Sequence, residues 1–205
     1  MIPAIVLAAG TSTRMGRPKA LLPLGSGETF LTRIVRTLAQ AAVEDIVIVA
    51  GHDAAAVVAA FNDGALTARI VINSDYETGQ LSSLLTGLRV VDRPGVAAAL
   101  VTLVDVPLVT AGTVRAVLAR YQQTKAPVVR PVRGHRHGHP VLIDRALFDA
   151  LRAADIREGA KAVIRAHASS AGDVEVEDEG AFRDIDTPDE YDRVLSELGV
   201  GADSR

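Results

Sequence analysis

Short apolar segments alternate with longer amphipathic segments along most of the chain. The apolar segments predict strands over residues 4–7, 46–50, 69–72 and 98–104. The segments between them carry apolar side chains at helical spacing and predict helices over residues 30–42, 54–61, 82–90 and 111–123. Strands that are apolar throughout are typical of a parallel sheet covered by helices on both faces. The pattern therefore predicts a doubly wound, Rossmann-like α/β fold with a mostly parallel sheet.

The rhythm changes in the last third of the chain. Two strands, over residues 127–132 and 140–143, are joined by a polar loop and predict a β-hairpin inserted late in the fold. Two short helices, a last strand and a closing helix are predicted over residues 146–151, 160–167, 174–176 and 188–198. We expect one domain over residues 1–198 and a flexible tail over residues 199–205.

The composition excludes several classes of protein. The 205 residues include no cysteine, which excludes disulfides, thiolate metal sites and cysteine nucleophiles. A net charge of −3 argues against nucleic-acid binding through a broad basic face. No run reaches the roughly 18 apolar residues of a membrane-spanning helix, and no basic segment precedes the first strand as in a signal peptide. We therefore expect a cytoplasmic protein that binds neither nucleic acid nor membrane.

A polar loop follows the first predicted strand and reads Leu7-Ala-Ala-Gly-Thr-Ser-Thr-Arg-Met-Gly-Arg-Pro-Lys19. Gly10 lets a ligand approach the backbone closely, and the hydroxyl and N–H groups after it suit phosphate oxygens. Arg14 and Lys19 add two positive charges, and Lys19 is one of only three lysines in the chain. The loop contains neither the G-x-G-x-x-G fingerprint nor the P-loop pattern. It predicts a phosphate-binding loop of a different kind.

Two carboxylates are candidates for a magnesium site. Asp105 follows an apolar strand, and a carboxylate there either caps a turn or faces the ligand crevice. Asp186 precedes the last helix. A capping box of Thr187 and Glu190, together with Pro188, accounts for the start of that helix and leaves Asp186 without a part in it. Mg²⁺ usually takes one or two carboxylates together with phosphate oxygens and water. Asp105 and Asp186 fit that requirement.

Other candidates lie in the middle and late parts of the chain. Gly51 ends the second strand and is expected near the base of a nucleotide. Asn73, Gly79, Ser82 and Ser83 precede a helix and either line a nucleotide pocket or, for the serines, cap that helix.

The late loop contains histidines at 135, 137 and 139. In a regular strand these three side chains would lie on one face and could bind zinc, but the flanking glycines disfavour a regular strand. Lys161 opens a helix, where it either contacts an acceptor phosphate or is solvated.

The polar loop resembles the first motif of molybdenum cofactor cytidylyltransferase-like (MobA-like) nucleotidyltransferases, L-A-A-G-x-S-x-R-M-G-x-x-K, and matches every fixed position. The resemblance extends to about residue 198 and includes the D-x-P, D-I-D-T-P and G-H-P motifs at Asp105, Asp184 and Gly138. Glu190 stands where the closing motif has a second Asp. The resemblance implies an α/β nucleotide-binding fold that uses a nucleoside triphosphate and Mg²⁺.

The resemblance also implies roles for individual residues. Lys19, Arg14 and Asp105 would be catalytic, Asp105 and Asp186 would hold the metal, and His139 and Lys161 would contact the acceptor. The nucleotide would be bound by Leu7, Ala8, Ala9, Gly10, Thr11, Ser12, Arg14, Lys19, Gly51, Asn73, Gly79, Ser82 and Ser83.

The predicted reaction is transfer of CMP from CTP to the phosphate of a molybdenum-bound pterin, with release of pyrophosphate. Ala9, where guanylyltransferase relatives have Gly, favours CTP over GTP. Gln80 and Leu81 depart from the family pattern and leave room for another phosphorylated acceptor. The remaining alternatives are a non-catalytic accessory protein for a molybdoenzyme partner and an NAD(P)H enzyme resembling nicotine blue oxidoreductase. The missing dinucleotide fingerprint argues against the last.

Overall fold

A central sheet of eight strands forms the middle layer of the protein in the computed structural model, which describes residues 1–62 and 66–200. The strands of this sheet are β1 (Ala4–Ala8), β4 (Ile46–Ala50), β5 (Arg69–Ile72), β6 (Ala98–Leu103), β7 (Val128–Arg133), β8 (Arg136–His137), β9 (Val141–Asp144) and β10 (Asp173–Glu175). Two short strands, β2 (Pro23–Gly25) and β3 (Glu28–Thr29), pair only with each other.

The order of the strands is β10-β7-β9-β6-β1-β4-β5, with β8 paired to β7. Strands β1, β4, β5 and β6 run parallel to one another, and β10 runs parallel to β7. Strands β7 and β9 form the predicted antiparallel hairpin, and β9 also pairs with β6. The predicted mostly parallel α/β fold with a late hairpin is confirmed.

Helices cover both faces of the sheet. They are α1 (Phe30–Gln40), α2 (Ala54–Asn62), α3 (Gln80–Val91), α4 (Ala111–Thr124), α5 (Phe148–Arg152), α6 (Gly159–His167) and α7 (Pro188–Glu197). In β1 the side chains of Ala4 and Val6 join the core with α1, α2 and α4, whereas Ile5 and Leu7 join the core with α3 and α5. Because each strand is covered on both sides, its sequence is apolar throughout.

Two local predictions need correction. Helix α3 begins at Gln80, because Gly79 adopts φ +116° at its N-terminal boundary, so Ser82 and Ser83 lie inside the helix and do not cap it. Strands β2 and β3 were not predicted, since each has only two or three residues. The flexible tail over residues 199–205 stays a prediction: the Val200 N–H donates to the Leu195 carbonyl at 2.9 Å, and residues 201–205 lie outside the described residues. None of the helices described is long and apolar enough to cross a membrane.

Tyr121 fastens α4 to the sheet and makes the stability of the fold sensitive to alkaline pH. Its hydroxyl donates to Asp144 at 2.6 Å, and burial together with this carboxylate raises the pKa of Tyr121 above 10. The stabilisation is therefore present below pH 10 and is lost as the pH rises further. We expect Tyr121→Phe to lower the free energy of unfolding by about 1–2 kcal/mol near neutral pH and to flatten the alkaline loss. Urea unfolding at neutral and alkaline pH would show this, and an unchanged alkaline loss in the variant would contradict it.

Candidate active site

The loop between β1 and β2 is shaped by a tight turn at Ser12. This residue has φ +51°, and its carbonyl accepts the N–H groups of Met15 at 2.9 Å and Gly16 at 3.1 Å. The Ser12 hydroxyl accepts the backbone N–H of Lys19 at 3.1 Å. Lys19 then begins a short 3₁₀-helix over Lys19–Leu21. The turn therefore fixes the backbone of the loop at both of its ends, and it fixes where the Lys19 side chain starts.

Lys19 brings together the two carboxylates predicted to hold a metal. Its Nζ atom lies 3.4 Å from Asp105 Oδ2 and also forms a short ion pair with Asp186 Oδ1. Arg14 donates to the other oxygen of Asp186 at 2.8 Å. The Lys19 side chain is only 10% exposed, so water screens this cluster weakly. Two cations of the loop thus meet the predicted metal ligands: Lys19 contacts both carboxylates, and Arg14 contacts Asp186.

The electrostatics of the cluster differ between its carboxylates. Burial raises the pKa of Asp186, but the hydrogen bonds and charges of Lys19 and Arg14 outweigh it, and the pKa lies below its usual value. Partial burial and the negative charges of Asp105 and Asp186 raise the pKa of Asp184. The two cations therefore favour the ionised form of Asp186.

The cluster forms one part of the wall of a cavity of about 420 Å³. The cavity lies beyond the carboxyl ends of β1 and β6, where open α/β sheets bind ligands. Twelve of the residues predicted for the site line it: Leu7, Ala8, Ala9, Gly10, Thr11, Ser12, Arg14, Lys19, Gly79, Ser83, Asp105 and Asp186. The volume lies within the range of small-molecule sites.

Asn73 and Ser82 do not line the cavity but support its wall. The Asn73 amide donates to the hydroxyl groups of Ser82 at 2.8 Å and Ser83 at 3.0 Å, and its oxygen accepts the N–H of Asp75 at 3.0 Å. Asn73 is only 3% exposed, so these bonds are shielded from water. It ties the end of β5 to the first turn of α3 and so holds Ser83 at the cavity.

Gly51 also lies behind the wall. A Cβ atom added there would lie 2.7 Å from both Ala9 Cβ and the Ala9 carbonyl oxygen, and 2.8 Å from Tyr76 Cβ. The methyl group of Ala9 therefore needs glycine at residue 51. This close packing sets the distance between the polar loop after β1 and Tyr76, which lines the cavity.

His139 is not part of the cavity wall. Its backbone N–H donates to the Ala181 carbonyl at 2.8 Å, and its ring Nδ1 is buried with no partner among the described residues. Burial lowers the pKa of His139, while the charge of Asp105 opposes this and the charge of Lys161 adds to it. These electrostatic effects link His139 with both Asp105 and Lys161, although the Lys161 side chain itself is exposed.

The chain is similar to a known protein family. The family model of the MobA-like NTP transferase domain matches residues 4–171. The chain belongs to the MobA-like NTP transferase family. This is a family of nucleotidyltransferases. The matched residues include the polar loop, Asp105 and the late hairpin.

Individual relatives within and near the family carry different names. A protein of Paenarthrobacter nicotinovorans named nicotine blue oxidoreductase is 32% identical over 95% of this chain and 96% of its own length. A probable molybdenum cofactor guanylyltransferase of Mycobacterium bovis is 34% identical over 65% of this chain and 63% of its own length. The crystal structure of Rv0371C from Mycobacterium tuberculosis in complex with manganese is 28% identical, with a TM-score of 0.73, and the match covers 95% of this chain and 98% of that one.

The carboxylates of the cluster fit a divalent metal ion. Asp105 Oδ1 is buried and has no hydrogen-bond partner in the described part of the chain. Carboxylate oxygens are the ligands that Mg²⁺ and Mn²⁺ prefer. The residues that the structure describes contain no group of three or more His, Cys, Asp or Glu side chains arranged for a metal ion. The zinc alternative at the late histidines therefore has no support there, and an ion at Asp105 and Asp186 would need further ligands from a nucleotide or water.

Several residues of the site were missed from the sequence. The cavity is also lined by Pro18, Ala20, Asp53, Val57, Tyr76, Glu77, Leu103 and Val104, and by Thr13 and Gln80, whose part in the site the sequence did indicate. Asp184, whose pKa responds to the charges of both metal candidates, was quoted in a motif but given no role. The signal for Asp184 was its spacing of two from Asp186 across the fully buried Ile185, which in an extended segment places both carboxylates on one side.

Proposed function

We propose that this protein transfers a nucleotidyl group from a nucleoside triphosphate to a phosphorylated small molecule and releases pyrophosphate. The observation that carries the proposal is the meeting of Lys19 and Arg14 with Asp105 and Asp186 at one side of the cavity. Attack of an acceptor oxygen on the α-phosphorus needs charge neutralisation and positioning rather than a protein nucleophile. The chain, which has no cysteine, supplies that machinery.

The residues around the cavity divide the task. The backbone from Leu7 to Ser12 approaches the triphosphate, and Arg14 and Lys19 neutralise the pyrophosphate as it leaves. Asp105 and Asp186 would hold Mg²⁺, which supplies charge stabilisation at the reacting phosphate when bound. Gly79 and Ser83 form the wall at the start of α3. Gly51, Asn73 and Ser82 act from behind by fixing the position of that wall.

The acceptor is proposed to bind next to His139 and Lys161. His139, whose buried Nδ1 lacks a partner, offers a polar atom there, and Lys161 offers a positive charge at the beginning of α6. A phosphate monoester carries the negative charge that Lys161 would attract. The name of the guanylyltransferase relative supports a pterin-type phosphorylated acceptor. A molybdoenzyme is proposed as the partner that receives the product.

CTP is the proposed donor. Ala9 is the residue that favours cytidine over guanosine, and its methyl group packs into the space left by Gly51. GTP is the competing donor, since a relative with 34% identity is named a guanylyltransferase. We also propose Mg²⁺ as the metal and the cytoplasm as the location.

A second candidate function is reduction of a substrate by NAD(P)H. The observation that favours it is the 32% identity to a protein named nicotine blue oxidoreductase over nearly the whole of both chains. The chain lacks the G-x-G-x-x-G fingerprint. A cluster of two cations and two carboxylates also has no evident task in hydride transfer.

A thermal melt with CTP, GTP, ATP, UTP and NADPH, each with and without Mg²⁺, tests these proposals. A ligand at 100 times its dissociation constant stabilises the folded state by about 2.7 kcal/mol, which corresponds to about 5–10 °C for a chain of this size. We expect CTP with Mg²⁺ to give this shift, and a phosphorylated pterin then to release pyrophosphate. A shift with GTP alone would change the donor, and a shift with NADPH alone would overturn the proposal. Binding of CTP without pyrophosphate release from any phosphorylated acceptor would favour the accessory protein.

A further inference from the structure

The ammonium group of Lys19 lies where a metal ion would have to bind. It contacts one oxygen of Asp105 and one oxygen of Asp186, the two carboxylates proposed to hold that ion. In the described residues Lys19 is the only ion-pair partner of Asp105. The remaining oxygen of Asp105 is buried and unpartnered, so Asp105 has no other cation to satisfy it. A metal ion that binds Asp105 Oδ2 or Asp186 Oδ1 must therefore displace Lys19.

The charges of the cluster oppose such a displacement by the metal ion alone. Lys19 already supplies a positive charge to Asp105 and Asp186, and Arg14 supplies a second to Asp186, so a divalent ion would bind beside an ammonium that is only 10% exposed. Like charges at this separation repel strongly where water is largely excluded. A nucleoside triphosphate carries the missing negative charge and offers Lys19 a new set of oxygens. The two ligands therefore become favourable only together.

The backbone geometry confines the displacement of Lys19 to its side chain. The backbone N–H of Lys19 is fixed by the Ser12 hydroxyl at 3.1 Å, and the following carbonyl and amide groups form the short 3₁₀-helix. The loop thus stays in place while the four-carbon stem of Lys19 rotates. The absence of a cluster of three metal-binding side chains in the described chain points the same way, because phosphate oxygens must complete the coordination.

We infer that Lys19 acts as an internal counter-ion that competes with the divalent metal ion for Asp105 and Asp186, so that the metal binds tightly only together with the nucleotide. This inference rests on the proposed function, because it assigns the nucleotide the role of drawing Lys19 away. It gives Lys19 two roles: it blocks the metal in the free protein and binds phosphate in the complex. By linkage, each ligand raises the affinity of the other by the same factor.

Binding of Mn²⁺ without nucleotide, followed by electron paramagnetic resonance, tests the inference. The variant is Lys19→Met, which keeps the length of the side chain and removes its charge. We expect it to bind Mn²⁺ at least about tenfold more tightly than the wild type, because the competitor is gone, and to bind CTP more weakly. The matched control is Lys125→Met, since Lys125 ends α4 and lies over the Tyr121 ring. Equal Mn²⁺ affinity in wild type and Lys19→Met would overturn the inference.

A second measurement uses the wild-type protein and does not depend on the folding of that variant. The chain contains only Lys19, Lys125 and Lys161, so labelled lysine gives three side-chain signals, which Lys125→Met and Lys161→Met assign by subtraction. We expect the Lys19 signal to stay unchanged with millimolar Mg²⁺ and to shift when CTP is added with Mg²⁺. A full shift with Mg²⁺ alone would overturn the inference. If no nucleotide shifts either this signal or the melting temperature, the proposed function fails, while the Mn²⁺ comparison still decides the competition.

Discussion

Replacement of Asp105 by asparagine is expected to lower the rate of pyrophosphate release by about 10²–10⁴-fold. The change removes one negative charge from the proposed metal site, and loss of several kcal/mol of charge stabilisation corresponds to that factor. It also leaves Lys19 with one carboxylate instead of two. The protein should still fold, because Lys19 keeps Asp186 and the backbone carbonyl of Asp105 still accepts the Ile185 N–H at 2.8 Å. The measurement is steady-state pyrophosphate release with CTP and a phosphorylated pterin.

The matched control is Asp189→Asn. Asp189 is exposed in the first turn of α7, three residues after Asp186, and the same chemical change there leaves the cluster intact. We expect its rate to stay within about threefold of the wild type, in line with the small value of exposed charges. An Asp105→Asn variant that melts normally and keeps more than about a tenth of the activity would refute the assignment of Asp105.

Replacement of Gly138 by alanine is expected to destabilise the protein by about 3 kcal/mol and to weaken binding of the acceptor. A Cβ atom there would lie 2.3 Å from the Ala181 carbonyl oxygen and 2.8 Å from the Phe182 ring. The backbone oxygen cannot move without breaking its bond to the His139 N–H, so the clash forces the two segments apart. The measurements are urea unfolding and the Michaelis constant for the acceptor.

Gly112→Ala provides the comparison for Gly138→Ala. Gly112 lies in α4, where the nearest atom to an added Cβ is the Thr110 hydroxyl oxygen at 3.5 Å. Alanine is favoured over glycine within a helix by about 1 kcal/mol, so this variant should be as stable as the wild type or more so. If both variants had the same stability, the close packing of Gly138 against Ala181 would not be a constraint on the fold.

The sequence predicted which charged residues the fold brings together at the cavity. Arg14, Lys19, Asp105 and Asp186 are charged groups beside predicted strand ends or helix starts, and the parallel sheet brings such positions together. The continuous apolar strands likewise predicted the sheet and its helices on both faces. For these features local pattern and final structure agree.

The parts that escaped prediction depend on contacts between distant segments. Asn73 was expected to touch the nucleotide, but its amide instead holds two serines that lie inside α3. Gly51 was placed near the base, but its task is to accommodate Ala9 and Tyr76. Whether a polar or small residue faces a cavity or the wall behind it depends on packing across elements, and no single stretch of sequence records that.

The bond between the Ile185 N–H and the Asp105 carbonyl has a consequence for the newly synthesised chain. All four strands of the parallel half of the sheet, and Asp105 itself, precede residue 106, whereas Asp186 is synthesised only after them. A chain interrupted before residue 180 would carry the loop and the sheet but only one of the two carboxylates proposed to bind the metal. Under the proposed function, synthesis of the segment that carries Asp186, and not formation of the sheet, would therefore complete the site.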